Sequence, residues 1–261
     1  MSLLEAIILG IVQGLTEFIP VSSSGHLALG HMLFGLEEEG LLFTIVVHVG
    51  TLVPVLIVFR KDIWALIKRP FQKMTFMLIV ATIPAVIVGL LFEDRVEQAF
   101  TTMQFLVAGF LITGTVLIIS DRLRKATKTA DEITWLDAAL IGIAQAVAIF
   151  PGISRSGSTI TASLSRGINR EDAAKFVFLM SIPIILGATV LQIIHVARGN
   201  VAAYEIDFAV LGAGFVSAAL SGYLAVNFLL AAIKKAKLRY FAYYVLVLAK
   251  VLIFGMIVLN W

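Results

Sequence analysis

The chain has 261 residues, of which 60% are hydrophobic and only 14% are charged, and its mean hydropathy is +1.00. Soluble domains carry roughly 25% charged residues, so this composition is that of an integral membrane protein. The absence of cysteine excludes disulfides, thiolate zinc sites and cysteine nucleophiles. The excess of 20 Lys and Arg over 17 Asp and Glu is small, and we assign it to cytoplasmic loops rather than to a nucleic acid partner.

In chain order, the sequence predicts six full membrane spans and two broken apolar stretches. A spanning helix needs about 20 apolar residues. Six runs bounded by charged clusters meet this need: 41–59, 74–92, 103–120, 174–197, 208–230 and 241–259. The stretches 3–35 and 135–165 are interrupted by Pro, Gly and serines. Because polar backbone at membrane depth survives only inside protein or beside a watery cavity, we predict two re-entrant helical hairpins whose tips meet, in an all-α polytopic membrane protein.

The loops between these segments predict the orientation of the chain. Lys and Arg are concentrated in the loops 60–73, 122–128 and 234–239, whereas 93–102 and 198–207 have one arginine each. Since cytoplasmic loops carry the excess of Lys and Arg, we predict that the three basic loops face the cytoplasm. Both termini then face outward.

An internal repeat relates the two broken stretches. Sliding the chain by 132 residues aligns eight identical pairs: Ala6/Ala138, Gly10/Gly142, Ile11/Ile143, Gln13/Gln145, Phe18/Phe150, Ser22/Ser154, Ser24/Ser156 and Gly25/Gly157. Each half carries one hairpin and three spans, and an odd number of spans inverts the second copy. We predict a single membrane domain, 1–261, made of repeat one, 1–120, a linker, 121–134, and repeat two, 135–261.

The first hairpin carries an acid, serines and a histidine. Gln13 and Glu17 lie four residues apart on one helix face, and an ionisable group at membrane depth is a functional candidate. Glu17 can orient His26, act as acid or base, or hold a divalent cation together with Gln13. Ser23 and His26 share a face of the outgoing helix and predict a nucleophile beside a base. The alternative is a helix cap of serines with His26 in a satisfied hydrogen bond.

The second hairpin has an arginine where the first has a serine. Its sequence 150–159 reads as a helix stop followed by a hydroxyl-rich helix start. Amides at a helix N-terminus bind anions, and an arginine adds a bidentate fork for phosphate. We predict a phosphate site that includes Ser22, Ser154, Arg155, Ser156 and Thr159. The alternative role of Arg155, a pair with Glu17 that joins the hairpins, is compatible with catalysis.

Other polar residues suggest no further site. His48, in the middle of a span, is interpreted as a packed, hydrogen-bonded histidine, and residues 37–39, three glutamates, as a solvated outer loop. A P-loop, a dinucleotide fingerprint and an HExxH zinc motif are all absent.

Together the hairpins resemble the undecaprenyl-diphosphatase family, bacterial membrane enzymes associated with bacitracin resistance. Residues 13–17 are similar to its (Glu/Gln)xxxGlu motif, 20–26 to its serine and histidine segment, and 151–159 to its PGxSRSxxT motif. The length, segment order and repeat match over essentially the whole chain. Some members carry Glu at the position of Gln13.

This resemblance implies removal of the terminal phosphate from undecaprenyl diphosphate, which regenerates the lipid carrier for peptidoglycan and related cell-wall polymers. It also implies a divalent cation, Mg²⁺ or Ca²⁺, and a multi-pass protein of the bacterial inner membrane whose active site faces the periplasmic side. The expected partners are the polyprenyl diphosphate and the bilayer, with no nucleic acid, and a homodimer stays open.

Four residues are expected to be catalytic: Glu17, Ser23, His26 and Arg155. Arg155 would clamp the diphosphate and stabilise charge on the transferring phosphoryl group. The nucleophile stays open between Ser23, His26 and water. An alternative function is a lipid-phosphate flippase or secondary transporter that uses the same midplane anion site.

Overall fold

The computed structural model describes residues 1–36, 40–123, 126–197, 207–235 and 238–258. Within them it has helices and no β-strand. The helices are α1 Leu3–Phe18, α2 Ser23–Phe34, α3 Gly40–Val58, α4 Arg60–Lys68, α5 Lys73–Leu91, α6 Glu93–Phe100, α7 Met103–Arg122, α8 Trp135–Val147, α9 Arg155–Ser165, α10 Arg170–Ala197, α11 Phe208–Lys235 and α12 Arg239–Val258. The outer loop predicted at 37–39 and nearly all of the loop 198–207 lie outside the described residues.

The predicted all-α polytopic class is confirmed. Each of the six predicted spans falls on one helix: α3, α5, α7, α10, α11 and α12. Five of these are long and apolar enough to cross a membrane, and α3 makes a sixth together with α4, to which it is bent by 84°. The spans expose large apolar side chains, such as Leu90 at 53%, Leu224 at 66% and Phe254 at 61%. Such a surface fits lipid rather than water.

The two broken stretches form the helix pairs α1–α2 and α8–α9. Their helices have 16, 12, 13 and 11 residues. At 1.5 Å per residue, none of them crosses a hydrocarbon core of about 30 Å. This length is what a re-entrant hairpin requires, while the number of hairpins inside a membrane stays a prediction.

Helix caps recur at the offset of the internal repeat. Ser2 with Glu5 forms a capping box at α1, and Thr134 with Asp137 forms one at α8, 132 residues later. Ser22 and Ser154, also 132 residues apart, cap α2 and α9 through their side chains. Equivalent residues therefore start equivalent helices, while the bounds of the two repeats stay a prediction.

The two halves of the chain are interlocked. The first helix of each half packs chiefly on a helix of the other half, α1 on α11 and α8 on α5. Gly14 makes the first contact possible, because a Cβ there would lie 2.1 Å from Ser221 Oγ and 2.4 Å from the Ala218 carbonyl. Gly142 has the same role against α5, where an added Cβ would lie 2.7 Å from the Ala81 carbonyl. Neither half can therefore pack its hairpin without the other.

The basic segments predicted to share the cytoplasmic side lie at one end of the bundle. Three contacts tie them together: Lys175 with Asp62 at 2.5 Å, Lys73 with the Asp131 carbonyl at 2.5 Å, and Arg170 with the Ile233 carbonyl at 3.4 Å. At the same end Asp137 is fully buried and accepts from Lys128 at 2.5 Å and Arg166 at 2.8 Å. Burial alone raises the pKa of Asp137, but these donors and the Thr134 amide hold that pKa well below its usual range.

We expect Asp137→Asn to destabilise the protein, because the neutral amide leaves two cations without their shared buried partner. Breaking a buried pair costs about 3–5 kcal/mol, and since Lys128 and Arg166 are partly exposed we expect about 2–3 kcal/mol here. Thermal unfolding in detergent measures it. Asp62→Asn is the matched control, because neither Asp62 nor its partner Lys175 is buried and such a pair contributes about 0–1 kcal/mol. Equal losses in the two variants would contradict the prediction.

Candidate active site

The tips of the two broken helix pairs meet at a buried ion pair. Glu17, in the last turn of α1, is 6% exposed, and its Oε1 accepts from Nη2 of Arg155, the first residue of α9. A carboxylate so deep in an apolar bundle is stable only with a partner of opposite charge. The predicted contact of Arg155 with Glu17 is therefore present between the hairpins, while the roles of the two residues stay predictions.

The second carboxylate oxygen of Glu17 accepts hydrogen bonds from two polar side chains of the first hairpin. Its Oε2 accepts from Ser23 Oγ at 2.5 Å and from Gln13 Nε2 at 2.9 Å. His48 Nε2, from α3, lies 3.8 Å from the same oxygen. Ser23 is the first residue of α2. Its hydroxyl donates to the Glu17 carboxylate and not to the backbone of its own helix.

The expected hydrogen-bonding pair of Ser23 and His26 is not among the contacts of the described residues. The Ser23 hydroxyl donates to Glu17, and His26 uses both ring nitrogens elsewhere. Its Nδ1 donates to the Ser22 carbonyl at 2.7 Å, and its Nε2 lies 2.8 Å from the Tyr244 hydroxyl. The ring also stacks on Tyr244, 5.6 Å between centroids. The buried carboxylate is a stronger acceptor for Ser23 than a neutral imidazole.

Ser22 holds the turn of the first hairpin in an unusual conformation. Its φ of 70° lies in the region that non-glycine residues rarely adopt, at a cost of about 1–3 kcal/mol. Its side chain accepts from the Gly25 amide at 3.3 Å and lies 3.2 Å from Ser24 Oγ. Together with the His26 contact to its carbonyl, these bonds hold the strained turn that aims Ser23 at Glu17.

The turn of the second hairpin is held by α7. Thr113 donates to the Gly152 carbonyl at 2.8 Å and accepts from the Ser154 amide at 2.8 Å. Ser154 caps α9 and lies 3.2 Å from Ser156 Oγ, which is 3.4 Å from the Ile19 carbonyl of the first hairpin. Thr159 is buried and donates to the Arg155 carbonyl at 2.7 Å.

A cavity of about 360 Å³ opens from this meeting point. Its polar lining includes Glu17, Ser22, Ser23, Ser154 and Arg155, which brings five of the predicted site residues to one space. The rest of its wall is largely apolar and is formed by α2, α3, α6, α8 and the second half of α10. A cavity with both charged and apolar lining residues suits an amphiphile.

Four predicted residues do not line this cavity: Gln13, His26, Ser156 and Thr159. Gln13 is in contact with Glu17, whereas the other three support the hairpin turns. The predicted site residues did not include His48 and Gln145, which line the cavity, or Thr113, which supports the second turn. His48 does make the predicted hydrogen bond, from Nδ1 to the Thr44 carbonyl at 2.7 Å. A polar, ionisable side chain in the middle of a predicted span was the feature that could have indicated a site role.

The donor set for a divalent cation is small. The described residues contain no cluster of three His, Cys, Asp or Glu side chains that could hold a metal. Glu17 is the carboxylate of the cavity, and Gln13 Oε1 is buried without a hydrogen-bond partner. Mg²⁺ is commonly bound by one or two protein oxygens together with substrate phosphates and water, and of these two residues only Glu17 lines the cavity.

The fold and the cavity define a class of protein, a polytopic membrane protein with a buried carboxylate, arginine and hydroxyl at the meeting of two helix starts. The family model described as bacitracin resistance protein BacA matches residues 6–251. The chain therefore belongs to the BacA family.

Relatives match over almost the whole chain. An undecaprenyl-diphosphatase from Carboxydothermus hydrogenoformans is 49% identical over 95% of both chains. Undecaprenyl-diphosphatase 4 from Bacillus cereus is 49% identical over 94% of both chains. An undecaprenyl-diphosphatase from Alkaliphilus metalliredigens is 42% identical over 94% of this chain and 95% of its own. These names are those of a phosphatase, so the comparisons give the flippase alternative no support.

We expect Glu17 and Arg155 to be energetically coupled, because either residue alone leaves a buried charge without its partner. Glu17→Gln and Arg155→Met should each lower thermal stability in detergent. The double variant should lose less than the sum, with a coupling of about 1–3 kcal/mol. Additive losses would mean that the ion pair does not hold the hairpins together.

Proposed function

We propose that the protein hydrolyses undecaprenyl diphosphate to undecaprenyl phosphate and inorganic phosphate, and so regenerates the lipid carrier for cell-wall polymers. The observation that carries this proposal is the Ser23 hydroxyl bound to Glu17 beside Arg155. The cavity then holds a nucleophile, Ser23, a base, Glu17, and a guanidinium that can bind phosphate, Arg155. A carrier needs the anion site but has no use for a nucleophile bound to a base, so this arrangement favours hydrolysis over transport.

Arg155 and two helix starts are the proposed diphosphate site. The first amides of a helix have no partner within the helix and carry partial positive charge. The starts of α2 and α9 both lie at the cavity, since Ser22, Ser23, Ser154 and Arg155 line it. The Arg155 guanidinium can exchange its contact with Glu17 for a bidentate contact with phosphate oxygens, and it would stabilise the charge that develops on the transferring group.

Ser23 is the proposed nucleophile and Glu17 its base. Ser23 Oγ attacks the terminal phosphorus, its proton passes to the Glu17 carboxylate, and the phosphoanhydride P–O bond breaks, with the electron pair leaving on undecaprenyl phosphate. Water then cleaves the phosphoserine and releases inorganic phosphate. His26 acts as a positioning residue, because its ring holds the Ser22 carbonyl of the strained turn.

We also propose a divalent cation, Mg²⁺ or Ca²⁺, at this site. Glu17 and Gln13 would hold it, supported by the unpartnered Gln13 Oε1. A bound cation would neutralise charge on the phosphate oxygens.

The proposed substrate also fits the apolar wall of the cavity. The apolar lining includes Leu27, Ile45, Ile149 and Ile185, so the first isoprene units can pack against them while the remaining tail lies in the bilayer. We expect the lipid, rather than a nucleic acid, as the ligand. A homodimer stays a prediction.

The orientation we propose has the cavity open to the periplasmic side of the bacterial inner membrane, with both termini outside. The cavity is lined by Thr44 and His48 in the first half of α3 and by residues between 184 and 192 in the second half of α10. The basic end, where α3 ends and α10 begins, is the opposite one. Because Lys and Arg favour the cytoplasm, the cavity then faces outward.

We expect purified protein in detergent to release inorganic phosphate from a long-chain polyprenyl diphosphate in the presence of Mg²⁺ or Ca²⁺, and EDTA to stop it. Ser23→Ala and Glu17→Gln should lower kcat by about 10³-fold or more, since each removes part of the nucleophile and base. Arg155→Lys should lose about 10–100-fold, because lysine supplies charge without the fork.

Thr115→Ala is the control for these variants, because Thr115 is exposed on α7 and its hydroxyl donates to its own helix at Leu111. It should match the wild type. Phosphate release that is equal in wild type and Ser23→Ala would refute the proposed nucleophile. No release by the wild type would refute the phosphatase itself.

Single cysteines can test the orientation, since the chain has none of its own. We expect Gln98→Cys, on α6 beside the cavity, to react with a membrane-impermeant maleimide in intact cells. Lys61→Cys, at the basic end, should react only after permeabilisation. The reverse pattern would place the cavity on the cytoplasmic side and overturn the proposed orientation.

A further inference from the structure

His48 faces the reacting groups across the cavity and has no role in the steps above. It enters from α3, so it belongs to neither hairpin. Its Nε2 is 3.8 Å from Glu17 Oε2, the oxygen that also accepts from Ser23. The His48 side chain is 26% exposed and lines the cavity, whereas the Glu17 side chain is 4% exposed.

The backbone of α3 fixes which ring nitrogen of His48 faces the cavity. Its Nδ1 lies 2.7 Å from the Thr44 carbonyl, and a carbonyl oxygen only accepts, so Nδ1 carries the proton that is donated there. In the neutral ring the other nitrogen, Nε2, is then a hydrogen-bond acceptor. In that neutral form two acceptors, Nε2 and Glu17 Oε2, face each other at 3.8 Å.

A small molecule with two donors can bridge the two atoms, as a further donor to Glu17 Oε2 beside Ser23 and Gln13. Polar atoms more than 3.5 Å apart are commonly bridged by water, and two hydrogen bonds of about 2.8 Å fit this separation. An alcohol has one donor and cannot bridge them. The geometry points to a water-binding position between His48 and Glu17, and to His48 as the positioning residue for the water that the hydrolysis consumes.

This inference rests on the proposed phosphatase function and adds a residue to it. The water oxygen forms a bond to the phosphorus of phospho-Ser23, and the bond from that phosphorus to Ser23 Oγ breaks. Glu17 returns to the serine oxygen the proton that it took from Ser23. One water proton passes to Glu17 and from there to the solvent, and the other leaves on inorganic phosphate. Only this water regenerates the free enzyme, so its position affects the rate at which phospho-Ser23 is hydrolysed.

The test compares His48→Leu with His48→Gln in detergent, on a long-chain polyprenyl diphosphate with Mg²⁺. We expect kcat of His48→Leu to fall by about 10–100-fold, which corresponds to one lost hydrogen bond of about 1.4–2.8 kcal/mol, with KM within about threefold. His48→Gln should recover most of kcat, because its amide oxygen can accept where Nε2 did. His48→Asn, whose shorter amide cannot reach, should resemble His48→Leu.

Asn227→Leu is the matched control, a polar residue of α11 that is exposed and donates to its own helix at Tyr223. Unchanged kcat in His48→Leu, or no recovery in His48→Gln, would overturn the inference while leaving the phosphatase intact. A higher KM alone would make His48 a substrate contact, and a raised Mg²⁺ requirement would make it a cation ligand. Both results would also overturn it. A wild type without phosphate release refutes the proposed function instead.

Discussion

The structure depends on one constraint, that a carboxylate buried among apolar helices must be paired. Glu17 is 6% exposed. Burying its charge without a partner would cost more free energy than a surface contact contributes to stability. Arg155 supplies the partner from 138 positions further along the chain. The tips of the two hairpins must therefore meet, and the helices that pack against either tip must hold it in that position.

Close packing is what allows the tips to meet. Gly109 of α7 lies where a Cβ would be 2.2 Å from the Pro151 carbonyl, and Gly25 of α2 has Phe110 and the Gly152 backbone on either side. Through these contacts α7 touches both hairpins, and Thr113 fixes the second turn by two hydrogen bonds. Any larger residue at these glycines would separate the turns. The strained conformation of Ser22 persists because its surroundings hold it on several sides.

Much of the fold was predictable because it follows from local rules. Apolar runs predict the six long apolar helices, and the caps at Ser22 and Ser154 follow from residue type. The site was predictable only in part. Membrane depth marks Glu17 and Arg155 as functional, but no local rule says that Ser23 turns to Glu17 while His26 turns to Tyr244. These hydrogen-bond partners depend on which helices pack against the turns. For the same reason the sequence alone indicates only a packed His48, since its distance to Glu17 is a property of tertiary structure.

The repeat explains why the chemistry lies where the halves differ. Ser22 with Ser24 and Ser154 with Ser156 are equivalent pairs, each with hydroxyls 3.2 Å apart, so the shared residues build two like helix starts. The first residue of each helix differs, Ser23 in one and Arg155 in the other, and both reach the single carboxylate of Glu17, one at each oxygen. Glu17 itself has no counterpart, because Ile149 stands at the equivalent position of the second half, so one carboxylate serves both residues. Divergence at these two positions therefore places the proposed nucleophile and the proposed phosphate clamp at the two oxygens of one carboxylate, which is the separation of roles that phosphoryl transfer requires.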